Sequence, residues 1–178
     1  MKTLLTTADI EYLLTQQEKL DKDIREKESI NEVGWRYGLD KQHEIALRVE
    51  VHEFINECHD VWKYWKSKPI DKNRIIDEAV DVIHFVMLLK NKLWGRSYSQ
   101  TPLIEEEFKE VAESPRFKTL EKPLNLIFEL LESEYNSYVT QLYLVLKILD
   151  HYGFTSKDII DAYNRKNKIN FERMARNY

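Results

Sequence analysis

The chain has 178 residues, 43% of them hydrophobic, which is enough for one domain with a substantial core over 1–178 and too few for two ordinary domains. Four glycines and four prolines among 33% charged residues starve the turns that sandwiches and barrels need, so the expected fold is all α. A single cysteine, Cys58, excludes an intrachain disulfide, the Met1–Thr7 stretch is too short in its apolar part for a signal peptide, and no run of about 18 apolar residues marks a membrane span; a cytoplasmic protein without a membrane partner is expected, and the net charge of −4 speaks against nucleic acid.

In chain order, Thr6-Thr7-Ala8-Asp9 reads as a capping box opening a first helix that ends near Lys27, with Ile10, Leu13, Leu14, Gln17 and Leu20 at helical spacing. Glu28 to Asp40, with Gly34 and Gly38 around Trp35 and Tyr37, reads as a loop partly buried by its aromatics. A second helix is predicted from Lys41 to Lys66, closed by Pro69, and a third from Asn73 to Trp94, stopped at Gly95. The segment 95–123, with Pro102 and Pro115, reads as an irregular insertion or lid with a short helix over Leu103–Glu113. A fourth helix spans Leu124 to His151 with Gly153 as its stop. Thr155-Ser156-Lys157-Asp158 opens the last one with another capping box. The expectation is a helical bundle of about five main helices.

Helix two, projected at about 100° per residue, carries Leu47, Val51, Phe54, Cys58, Val61 and Trp62 as an apolar stripe bordered by Glu50, Glu53 and Glu57. Such an acidic border is as readily a solvated face. Helix three decides between the readings: Glu78 and Asp81 sit among Ile75, Ile76, Val80, Val82, Ile83, Phe85 and Val86, which leave little wet surface. An unpaired buried carboxylate costs several kcal/mol, and a bound cation removes that cost. Both acid pairs are spaced i to i+3 and present their carboxylates on one face. Antiparallel packing of helices two and three would gather them into an oxygen-only cage suited to Mg²⁺, or Mn²⁺, rather than Zn²⁺. The competing reading is an acid network paired with Lys or Arg.

With Glu50-Val-His-Glu53 and Glu78-Ala-Val-Asp81 in place, the sequence resembles the dimeric, all-α dUTPases, relatives of the MazG-type nucleotide pyrophosphatases. Trp62-Lys63-Tyr64-Trp65 is similar to that family's aromatic-Lys-x-Trp segment, and Lys166, Asn170 and Arg173 resemble its C-terminal Lys, Asn and Arg at steps of four and three. The resemblance implies hydrolysis of dUTP to dUMP and pyrophosphate by metal-activated water, with two or more Mg²⁺ per site. Glu50, Glu53, Glu78 and Asp81 are the implied ligands and Glu53 the implied base. Lys63, Lys166, Asn170 and Arg173 would bind the phosphates. Gln17 matches a family residue that reads uracil; its partner there is Asn, and the position here is Asp21. Trp62 and Trp65 would meet the base.

Each assignment has an ordinary counterpart. Trp62 and Trp65 also fit as core aromatics, Lys63 as an exposed lysine, and His84 as a core histidine or a support for the ligands. His52 and His59 fall outside a His-Glu-x-x-His pattern, so a zinc protease is not expected. Rival functions are the same chemistry on dCTP or another dNTP and, more remotely, a carboxylate di-iron bundle suggested by Asp81-Val-Ile-His84. A homodimer is expected from the resemblance and from the supply of Trp, Tyr and Ile. No motif specifies a regulatory protein partner.

Overall fold

The structure, a computed structural model, describes residues 5–94, 101–133 and 137–176, with the side chains of 93–94 and 101–105 left aside. Among these residues there is no strand. The helices are α1 (Thr7–Lys27), α2 (Asp40–Glu57), α3 (His59–Trp62), α4 (Lys72–Trp94), α5 (Thr101–Glu113), α6 (Pro115–Lys118), α7 (Pro123–Glu132), α8 (Tyr138–His151) and α9 (Ser156–Ala175), with a π-helical turn at Gly34–Gly38. The bundle therefore has more and shorter pieces than the five expected.

Helix α4 is the axle. It packs most extensively against α2 and also against α1, α8 and α9, and Ile75, Ala79, Val80, Val82, Ile83, Val86 and Met87 are all buried. A helix apolar on nearly every side belongs in the middle of a bundle. Both capping boxes form: Thr6 and Thr155 accept from the amides of Asp9 and Asp158, whose carboxylates take the cap amides in return. At the end of α8, Gly153 adopts φ +81°, and the amides of Phe154 and Gly153 bond the carbonyls of Leu149 and Asp150. That is a Schellman ending, which needs a residue in the left-handed region.

Four expectations need correction. Helix two stops at Glu57 instead of running to Lys66: the Trp62 indole N–H donates to the carbonyl of Ile55 (2.9 Å), and the Tyr152 hydroxyl donates to Asp60 (2.8 Å). The first bond is local and the second crosses the fold; together they hold the chain in the short helix α3. Helix four is divided into α7 and α8; the Ser133 hydroxyl donates to the carbonyl of Leu130 (2.7 Å), and such a bond offers the backbone an exit from the helix. The loop before α2 contains a π-helical turn in which Asn31 Oδ1 accepts from the amide of Gly34 (2.8 Å), and its aromatics part company, Trp35 buried and Tyr37 exposed. Of the stretch 95–123 read as irregular, the described residues carry the expected short helix as α5 and add α6 and the start of α7, with Phe108 and Phe117 packed edge-on against Tyr143; Gly95 lies outside the described residues.

Candidate metal and nucleotide site

Helices α2 and α4 run antiparallel, tied near one end by Arg74–Glu57 (2.9 Å) and at the other by Lys92–Asp40 (2.6 Å). Between those pairs Glu50 meets Glu78 and Asp81, with ligand oxygens from all three within 4.8 Å of one another. Each is half-buried. Burial and then the charges of Asp81, Glu53 and Glu78 push Glu50 up to about 7. Burial and Asp81 push Glu78 up as well, and Asp81 is raised by burial against the opposing pull of Lys166. Carboxylates so placed resist joint ionisation unless a cation joins them. An all-oxygen, half-buried donor set fits Mg²⁺ or Mn²⁺.

Glu53 stands outside that trio. It is exposed on α2, one turn from Glu50, and lines an open cleft of 840 Å³ with Glu78, Asn56, Arg48 and Arg74. The i to i+3 spacing keeps it on the same face without bringing it into the closest group.

The basic residues of α9 are divided. Lys166 forms an ion pair with Asp81, so a lysine expected on the phosphates sits on the acids. Burial works against its charge, but the bond to Asp81 and the neighbouring Glu78 and Asp77 win and raise its pKa. Arg165 pairs with Asp77 one turn earlier. Asn170 is half-buried and Arg173 exposed, and the positive charge of Arg173 reaches Asp81.

Lys63 is half-buried instead of free in solvent: its Nζ donates to Asn56 Oδ1 (2.5 Å) and lies over the Trp62 ring at 4.6 Å. Trp62 is partly buried. Trp65 is 64% exposed, so it is no core aromatic; the chain leaves helix at Lys63 and carries it outward, edge-on to Trp62 at 5.9 Å. The break at Cys58 also separates the two histidines, leaving His52 exposed and His59 buried.

Gln17 is the hub of a second, buried group. Its Nε2 donates to Asp21 Oδ1 (2.7 Å), while its Oε1 accepts from His84 Nδ1 (2.7 Å) and from the Tyr163 hydroxyl (3.1 Å). His84 stacks on Tyr163 with ring centres 4.0 Å apart, and burial followed by Lys166 lowers its pKa to about 3. It is neutral, and because Nδ1 carries the proton its Nε2 is an acceptor. That nitrogen, Asp21 Oδ2 and Asn167 Oδ1 are buried without a partner. His84 thus faces Gln17, not the carboxylates, which removes the basis of the di-iron reading.

Sequence reasoning missed Tyr163, Asn167 and the Lys166–Asp81 contact. Tyr163 and Asn167 follow the buried Ile159 at steps of four on α9, and that continuation of one helix face was the available signal. A family model described as dUTPase matches residues 9–178. No curated protein matches the chain. Among the described residues no helix is long and apolar enough to cross a membrane.

Proposed function

This chain belongs to the dUTPase family, and on that footing we propose that it hydrolyses dUTP to dUMP and pyrophosphate at the acidic cluster between α2 and α4, with Mg²⁺ as cofactor. The observation that carries the reading is the approach of Glu50, Glu78 and Asp81 to within 4.8 Å in a half-buried setting. These three residues, joined by Glu53 from the cleft wall, would hold Mg²⁺. When bound, the ions would neutralise phosphate charge and acidify a water.

The protein's own groups supply the rest. Glu53, the most accessible of the four acids, takes the proton of the attacking water. Lys63, held by the cleft residue Asn56, and Arg173, whose charge reaches Asp81, neutralise charge on the phosphates, Lys166 joins them once it leaves Asp81, and Asn170 donates to an oxygen of the substrate. Gln17 and Asp21 read the base from the buried group, and Trp62 and Trp65 offer ring faces to it. The carboxyl trio, the cleft and the buried polar group all draw on α4 or the helices against it, which supports one continuous site.

We also propose a homodimer. Ile45 and Val49 on α2 and Leu124, Phe128 and Leu131 on α7 are large apolar side chains left exposed on packed helices, a surface that a second copy would cover.

Purified protein incubated with each dNTP, with Mg²⁺ or with EDTA, tests the activity by pyrophosphate release. Release from dUTP that stops in EDTA is expected. Release from dUTP undiminished by EDTA would remove the metal from the mechanism, and none from any dNTP would remove the activity.

A further inference from the structure

The buried group around Gln17 has one member whose chemistry depends on its proton. Asp21 is 1% exposed. Its Oδ1 accepts from Gln17, and its Oδ2 has no partner. The charged and titratable groups around it come from three helices. On α1, Glu18 and Arg25 bond each other at 2.6 Å. On α4, Lys92 is committed to Asp40 at 2.6 Å and His43 at 3.0 Å, and His84 reaches Asp21 only through Gln17. On α9, Tyr163 adds a neutral hydroxyl bonded to Gln17. Among the described residues Asp21 has no ion pair. A carboxyl in that position holds its proton, and burial, above the opposing bond from Gln17, raises its pKa to about 8.

A partnerless buried polar atom in a native protein calls for a partner from outside. Two such atoms, Asp21 Oδ2 and His84 Nε2, belong to side chains bonded to Gln17, and with Asp21 protonated they are a donor and an acceptor. A ligand that satisfied both would bring an acceptor for Asp21 and a donor for His84, and uracil carries such a pair in O4 and N3–H.

We propose that Asp21 reads the base as a neutral carboxylic acid, donating from Oδ2 to the O4 of uracil, and that loss of this proton turns the same oxygen into an acceptor for the 4-amino group of cytosine, so that discrimination between dUTP and dCTP narrows as pH rises. This rests on the proposed activity and adds to it a specificity device. A neutral acid both donates and accepts, as an Asn amide does; a carboxylate only accepts. The sign follows from protonation: uracil is favoured below about pH 8, where the proton is held, and that advantage fades above it. His84 remains an acceptor throughout and keeps the preference from inverting.

The test is calorimetric binding of the non-hydrolysable α,β-imido analogues of dUTP and dCTP, with Mg²⁺, to the parent and to Asp21→Asn from about pH 6 to about pH 9, alongside a carbon NMR titration of the Asp21 carboxyl. The ratio of the two Kd values should shrink by about tenfold or more in the parent and stay constant in Asp21→Asn. A constant ratio in the parent, the same drift in Asp21→Asn, or a carboxyl that titrates in the ordinary range each overturns the proposal. Hydrolysis of dUTP is followed separately: turnover with a constant ratio sinks the specificity device alone, whereas absence of both binding and turnover sinks the activity and the device with it.

Discussion

Glu50 is where chemistry and stability meet. Its pKa of about 7 without metal lies above the ordinary 4.5. A carboxyl raised on folding binds its proton more tightly in the folded chain, so stability is whole below about pH 4.5 and is lost as pH rises through about 7. Glu50→Gln abolishes that loss: in EDTA near pH 8 the variant should melt about 2–4 °C above the parent, with the difference closing near pH 4 and reversing when Mg²⁺ stabilises only the parent. Scanning calorimetry in both buffers checks each sign. Glu53→Gln should lower turnover by about a hundredfold while circular dichroism stays unchanged and analogue binding falls far less than turnover; near-normal turnover reassigns the base. Glu78 and Asp81 are legible in the sequence because i, i+3 spacing inside an apolar helix is a local signal, whereas the helix of Glu50 and Glu53 does not by itself tell a site from a solvated face. The attachment of Lys166 to Asp81 is not, since nothing near either residue names the other.

At the scale of elements, the helix starts written in short local codes were readable and the interruptions were not. Both capping boxes and the Gly153 stop depend on residues within one turn of the boundary. The break at Cys58 depends on a local bond from Trp62 to Ile55 and on a distant one from Tyr152 to Asp60, and no window of sequence around Cys58 contains the second. The Gly153 ending gives a clean measurement. A Cβ there would meet nothing within 4 Å, so Gly153→Ala carries only the left-handed backbone penalty, about 1–2 kcal/mol, read as a lowered urea midpoint with an unchanged slope. Thr155→Ala, which removes the cap of α9, should cost about 1 kcal/mol by the same assay.

For the molecule as a whole, the exposed apolar face of α2 and α7 sets the expected assembly. Light scattering at micromolar concentration should give the mass of two chains, and Phe128→Glu, which places a charge in the middle of that face, should give one chain of unchanged helix content; a monomeric parent would discard the dimer. The contact of Lys166 with Asp81 has a further consequence at this scale. The ammonium is a resident cation that offsets the mutual repulsion of the acids as they fold together, so on the proposed reading folding would not have to wait for Mg²⁺. On the proposed reading the arrival of Mg²⁺ would be an exchange and not a simple addition, and the displaced lysine would be released beside the proposed place of the phosphates. One side chain would thereby serve two masters in sequence, first the empty site and then the loaded one.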